Sequence, residues 1–236
     1  MSNQTSDPES LIPLIKDRKG DELQQRLRAL SFHTAKAKDG TSIIQLSAYY
    51  NLGEIARKIA SKTEIIDILE AATVGNLRRL KALVNKDPSS IHAWSNDGFT
   101  PVQLACAFGS APTVDYLLRN GAKLDEQSRN KNISVYPIHA ALFGGNIATV
   151  RVLIKWGADV NVRQSLSGET PLHEAAFTGR EDLVKLLLDA GADRSMKTNG
   201  KTPYDIAVEK NAPGILDLLR LPEGTPASQR NTDGTQ

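Results

Sequence analysis

A single cysteine in 236 residues removes two large classes of site at once. Disulfide frameworks need pairs, and a structural zinc site needs several soft ligands at fixed spacing, so Cys106 alone builds neither. Set in Leu104-Ala105-Cys106-Ala107, it reads as a small buried hydrophobe, and so few thiols suit a reducing compartment. Long apolar runs are missing too. Nothing approaches the roughly 18 residues of a membrane span, and Met1 to Ser10 is polar with no apolar signal core, so a soluble cytoplasmic protein away from membranes is expected. Neither sign of charge is in excess: 29 Lys and Arg face 27 Asp and Glu. The longest basic cluster, Lys16-Asp17-Arg18-Lys19, has the pattern of a solvated helix face and not of a stripe tracking a phosphate backbone; no nucleic-acid partner is expected. Catalytic signatures are lacking as well: no glycine-rich phosphate loop, no His-Glu-x-x-His, no Cys-x-x-Cys, no Gly-x-Ser-x-Gly elbow. No catalytic residue, metal or cofactor is called for.

What the chain does have is a core-forming composition and a repeat. Apolar residues make up 40% against 24% charged, which is the balance of a folded protein and not of a disordered one. Gly98-Phe99-Thr100-Pro101-Val102-Gln103-Leu104-Ala105-Cys106-Ala107-Phe108-Gly109 is echoed by Val135-Tyr136-Pro137-Ile138-His139-Ala140-Ala141-Leu142-Phe143-Gly144-Gly145, then by Gly168-Glu169-Thr170-Pro171-Leu172-His173-Glu174-Ala175-Ala176-Phe177-Thr178-Gly179, then by Gly200-Lys201-Thr202-Pro203-Tyr204-Asp205-Ile206-Ala207. The proline-to-proline spacings are 36, 34 and 32 residues. Each unit continues into an apolar helical run, such as Leu183 to Leu188, closed by a Gly-Ala-Asp turn like Gly191-Ala192-Asp193.

This pattern resembles the ankyrin repeat family, whose motif is Gly-x-Thr-Pro-Leu-His-x-Ala-Ala-x-x-Gly followed by a second helix and Gly-Ala-Asp. The resemblance implies an all-α solenoid of six to seven helix-turn-helix units joined by β-hairpin-like loops. Residues 96–131, 132–164, 165–198 and 199–220 carry clear copies; 9–37, 38–62 and 63–95 read as degenerate ones. In the second of these Ser42-Ile43 replaces Thr-Pro and Asn51 stands for the turn glycine, as Asn211 does in the last copy, since Asn tolerates the left-handed conformation. The copy over 63–95 has too short a loop, around Ser61 to Glu64, for a full finger, which predicts a weak junction there. Residues 1–8 and 221–236 read as disordered ends.

The motif residues have structural duties. Thr100, Thr170 and Thr202 precede their helices as caps, and Pro101, Pro137, Pro171 and Pro203 occupy the first helical position, where no amide hydrogen bond is lost. Gly109, Gly145 and Gly179 let the chain turn between antiparallel helices. His139 and His173 fall at the motif histidine, which in the family bridges to the backbone of a neighbouring repeat; Gln45 and Gln103 hold the same place, so a metal ligand or general base is not the reading.

In the family, the concave face is lined by fingertip residues just before Thr-Pro and by the two residues before the turn glycine. Here those places carry Tyr49, Tyr50, Phe99, Phe108, Phe143 and Phe177, six of the chain's ten Phe and Tyr residues. Aromatics anchor protein interfaces because they bury much area with little entropy loss. Lys201, Glu169, Asp97 and Asn132 would add a mixed polar rim, which suits a protein or peptide. The expectation is a monomeric, non-catalytic protein-interaction module, with a regulatory or inhibitory subunit of a separate enzyme as the alternative. Nucleic-acid binding and catalysis by the stack itself rank below both. Joint alanine replacement of Phe108 and Phe143 is expected to abolish capture and leave stability nearly unchanged.

Overall fold

A computed structural model describes residues 11–19, 21–23, 25, 36–37, 39–63 and 66–221. The expected disordered ends lie outside the described residues, apart from Leu221. The chain divides into two compact units, Met1–Lys123 with Ser128–Asn130 and Leu124–Gln127 with Lys131–Gln236.

In the first unit α1 is Leu11–Lys16, α2 Ile43–Tyr49, α3 Gly53–Lys62, α4 Ile68–Thr73, α5 Leu77–Lys86, α6 Pro101–Phe108 and α7 Ala111–Arg119, with a 3-10 turn at Pro88–His92. The first helix of each pair starts on a reciprocal cap. Ser42, Asp67 and Thr100 accept from the backbone N–H of Gln45, Glu70 and Gln103, whose side chains accept in return from the cap's own N–H. Two orphan amides are satisfied at each helix start, which is why a Gln serves in the motif-histidine slot. The second helices are amphipathic: α7 buries Thr113, Val114, Leu117 and Leu118, and α5 buries Leu80 and Val84. First helices pack on first helices, α2 on α4 and α4 on α6, and α5 packs on α7.

In the second unit α8 is Pro137–Phe143, α9 Ile147–Lys155, α10 Pro171–Thr178, α11 Glu181–Asp189 and α12 Pro203–Glu209; a 3-10 turn at Pro213–Ile215 runs into α13, Leu216–Leu219. Here α8, α10 and α12 pack side by side, and α9 packs on α11. Leu142, Leu153, Leu172, Leu183 and Leu187 are fully buried.

The loops before α6 and α10 are tight turns, not strands. Ser95 N–H donates to the Phe99 carbonyl at 2.8 Å, and Gln164 N–H to the Glu169 carbonyl at 2.9 Å. Only isolated bridges, Lys36 with Ser42 and Thr198 with Lys201, appear among the described residues. The repeat of α4 lacks such a finger, yet the gap is spanned: Asn96 Nδ2 donates to the Asp39 carbonyl at 3.3 Å, so the finger before α6 meets the finger before α2. Glu64 itself lies outside the described residues.

Turn geometry matches the expectation at Gly145 (φ 64), Gly179 (φ 67), Asn51 (φ 62) and Asn211 (φ 53). Gly109 departs from it, with φ −86, outside the left-handed region. Its requirement is space. A Cβ there would lie 2.5 Å from the Ala72 carbonyl oxygen and 2.9 Å from the Ala105 Cα, where α4 and α6 approach backbone to backbone.

Candidate partner-binding surface

The aromatic residues expected to form one set fall into two different environments. In the first unit they pack on each other. The Tyr49 ring lies 5.4 Å from Phe108 and 6.5 Å edge-on from Phe99, and all three are half-buried, as is Tyr50. Burial, and after it the nearby Asp97 carboxylate, push the Tyr49 phenol pKa upward. Asp97 is itself occupied in its turn, accepting from the Ser95 hydroxyl at 2.5 Å. Phe99 reaches Tyr49 because its finger stacks on the one before α2. Phe108 also borders a cavity of about 540 Å³ shared with Ala48, Leu52 and Ile55. Losing Phe108 would strip Tyr49 of a packing partner, so the expectation of unchanged stability does not fit that position.

In the second unit the aromatics face solvent. Phe143 is 71% exposed and Phe177 56%. Two loop residues that the motif did not single out join them, Ile133 at 53% and Leu166 at 60%, and a 2.6 Å hydrogen bond between the hydroxyls of Ser134 and Ser165 ties their loops together. Among the described residues every large exposed hydrophobic lies in this unit, Trp156 and Val208 included. Lys210 Nζ sits 3.8 Å from the centre of the Phe177 ring. Lys201 Nζ pairs with Glu209 Oε1 at 2.8 Å, and Glu169 is half-buried in its loop. Asn132 is exposed.

Glu174 was not anticipated. It occupies the fourth position of the first-helix motif, where other copies hold Leu46, Leu104, Ala140 and Ile206, all buried. Its Oε2 is buried and makes no hydrogen bond. Burial first, and the Glu169 charge second, raise its pKa from 4.5 to about 8. A carboxyl amid an alanine-rich helix gives no periodic signal; comparing the copies column by column would have exposed it.

The two motif histidines also part company. His173 Nδ1 accepts from the Thr170 N–H at 3.3 Å and lies 2.7 Å from the Thr170 hydroxyl, while Nε2 reaches the Lys201 carbonyl at 3.2 Å, so the Nε2–H tautomer caps its own helix and bridges to the next repeat. His139 is fully buried, and its ring nitrogens make no bond as well formed as those of His173. Tyr136 stands where threonine would cap, and its ring lies 6.0 Å from the imidazole in place of a hydroxyl on Nδ1. Burial lowers the His139 pKa to about 4, against a weaker pull from the Glu169 backbone. Both histidines face the backbone of the following repeat, His173 at Lys201 and His139 at Glu169, and the capping bond on Nδ1 is made by His173.

Among the described residues there is no group of three or more His, Cys, Asp or Glu placed to hold a metal ion, and no helix long and apolar enough to cross a membrane. The family model for ankyrin repeats (three copies) matches residues 68–164 and again 138–230, well over half of the chain. The ankyrin repeat and SAM domain-containing protein 6 of Mus musculus is 32% identical over 97 residues, 41% of this chain and 11% of its own length. An ankyrin repeat and KH domain-containing protein of Caenorhabditis briggsae is 32% identical over 122 residues, 50% of this chain and 4% of its own. The tyrosine-protein kinase HTK16 of Hydra vulgaris is 36% identical over 84 residues, 36% of this chain and 10% of its own. The chain thus spans about a tenth or less of the length of these relatives.

Proposed function

Because this chain belongs to the ankyrin-repeat family, an all-α repeat fold whose members are in general protein-interaction modules, we propose that it is a non-catalytic binding module that holds a protein or peptide on the face bearing Phe143 and Phe177. The observation carrying this reading is the confinement of large exposed hydrophobics to the second unit, with two of them recurring at the same motif position in successive repeats. Apolar surface in that arrangement leaves water only when a partner covers it. Stacked repeats present such side chains from short first helices, and repeat proteins bind through the surface so formed.

The loops add apolar contact at Ile133 and Leu166, and Lys201 and Glu169 give the polar rim that a peptide backbone and its side chains meet. Tyr49, Phe99 and Phe108 contribute by holding the first unit's helices in place more than by contact, since the Tyr49 ring packs on the other two. Phe143 and Phe177 keep more than half of their surface exposed for a partner to cover.

The reading is tested by capture on immobilised full-length protein, wild type beside F143A/F177A, with E181A/K185A on α11 as a control. Partners retained by wild type and the control but lost on the double variant support it. Equal retention by all three overturns it.

A further inference from the structure

Asparagine followed by glycine occurs twice in the chain, at Asn120-Gly121 and Asn199-Gly200. The pair is reactive because glycine has no side chain to shield its amide nitrogen. Once that nitrogen loses its proton it attacks the Cγ of the asparagine carboxamide. The two places differ in how firmly the fold ties those atoms down. At the end of α7, Asn120 Nδ2 donates to the Tyr116 carbonyl at 2.7 Å, and the Gly121 N–H donates to the Leu118 carbonyl at 3.1 Å. Attack there requires both bonds to break and the end of the helix to unwind.

The tip of the finger before α12 carries no such ties. Thr198 and Lys201 exchange backbone hydrogen bonds, each of 2.9 Å, around Asn199 (φ 50) and Gly200 (φ 75), the two-residue hairpin that left-handed residues permit. Both tip residues are exposed, and among the described residues nothing bonds the Gly200 N–H or the Asn199 carboxamide. The turn has to open before the nitrogen reaches Cγ, and what resists is one isolated bridge at a loop tip. The base of the finger is held from outside: the Thr198 hydroxyl donates to the Ser167 carbonyl at 2.6 Å, and His173 Nε2 reaches the Lys201 carbonyl at 3.2 Å. Opening is thereby confined to the tip.

We infer that Asn199 is a site of spontaneous covalent modification whose co-reactant is water. The Gly200 nitrogen gives its proton to solvent base and bonds to Asn199 Cγ. The Cγ–Nδ2 bond breaks, ammonia leaves, and a five-membered imide closes. Water then opens the imide, giving aspartate by attack on one carbonyl and isoaspartate by attack on the other. Each product carries a carboxylate where a neutral amide stood, and isoaspartate also adds a methylene to the main chain. With Thr198 and Lys201 both anchored, the two-residue turn has no room for the extra atom, so the Lys201 carbonyl is drawn off His173. The assignment does not depend on the proposed binding face; Lys201 stands on the rim of that face, so the new charge arises beside it.

The test ages full-length protein in mildly alkaline buffer, folded and in guanidinium chloride, and maps its peptides by mass spectrometry. Aspartate and isoaspartate forms are separated by retention against synthetic standards. In the folded protein Asn199 is expected to convert roughly tenfold or more faster than Asn120, because opening the latter costs two hydrogen bonds. The rate should rise with pH, since the attacking nitrogen must lose its proton. In denaturant the two sites should converge; a gap of the same size there would place the difference in flanking residues and overturn the structural argument. Equal conversion in the folded protein, or an Asn199 that stays intact when folded and converts when unfolded, overturns the site. Isoaspartate-bearing protein is expected to melt below both fresh protein and N199D, which gains the charge without the methylene. Melting together with N199D would overturn the link to the His173 bond.

Discussion

Replacing Glu174 with glutamine should change how stability depends on pH, and the direction follows from the geometry. Folding raises the Glu174 pKa from 4.5 to about 8, so between those values the folded state holds a proton that the unfolded state has released. Stability from this group is fully present below pH 4.5 and is lost as pH rises through 8. His139 acts oppositely. Its folded pKa is about 4 against an ordinary 6.5, so its contribution is present above 6.5 and lost as pH falls toward 4. His173 is displaced in the same direction, mainly by burial. The two slopes oppose each other between pH 4.5 and 6.5, at about 1.4 kcal/mol per pH unit each when fully developed. Above 6.5 only Glu174 remains, and wild type should lose roughly 1.5 kcal/mol between pH 6.5 and 8. Urea unfolding at constant ionic strength, from pH 5 to 8, measures this. E174Q should follow a rising curve that levels off near pH 6.5, while wild type bends over and falls. Parallel curves for the two proteins would refute the assignment of a raised carboxyl pKa to this site.

Two further outcomes follow from the packing. Gly109→Ala forces a Cβ against the Ala72 carbonyl and should destabilise by about 1–3 kcal/mol, the usual range for overpacking. Gly145→Ala meets only the flexible end of Arg180 and should lose about 1 kcal/mol through its left-handed backbone; equal losses at the two positions would contradict the separate reasons given for them. Phe108→Ala should cost about 1–2 kcal/mol, below the range for a fully buried ring because this one is half-buried. Phe143→Ala should stay within about 0.5 kcal/mol of wild type, and thermal unfolding of both variants checks the contrast.

The repeats were legible because their signals are local. Thr-Pro at a helix start, an Ala pair and a glycine turn are each fixed by chemistry within a dozen residues, and the reciprocal caps at Ser42, Thr100 and Thr202 form from those residues alone. What escaped depended on neighbours in other repeats. Gly109 carries the turn motif, but its constraint is set by Ala72, far away in sequence. His139 shares a motif with His173 and lacks its capping bond because Tyr136 replaces the capping threonine. The aromatics were grouped across two adjacent motif positions, and one residue along a helix turns a side chain by about 100°. Phe108 stands one before its glycine, whereas Phe143 and Phe177 stand two before theirs. Tyr49 shares the register of Phe143 and is nonetheless packed, because the repeat between α2 and α6 has no finger and Phe99 reaches across to it. Glu174 was hidden for the opposite reason: a single carboxyl is unremarkable until the column it sits in is seen to be apolar.

The central claim is that the exposed aromatics of the second unit hold a partner. It is tested most directly by measuring the affinity of a purified captured partner for wild type and for F143A/F177A, with the thermal midpoint of each protein taken in parallel. The account predicts an affinity loss of about 30-fold or more, as expected for two central aromatic contacts, with the midpoint nearly unchanged. An unchanged affinity in a well-folded double variant would contradict it.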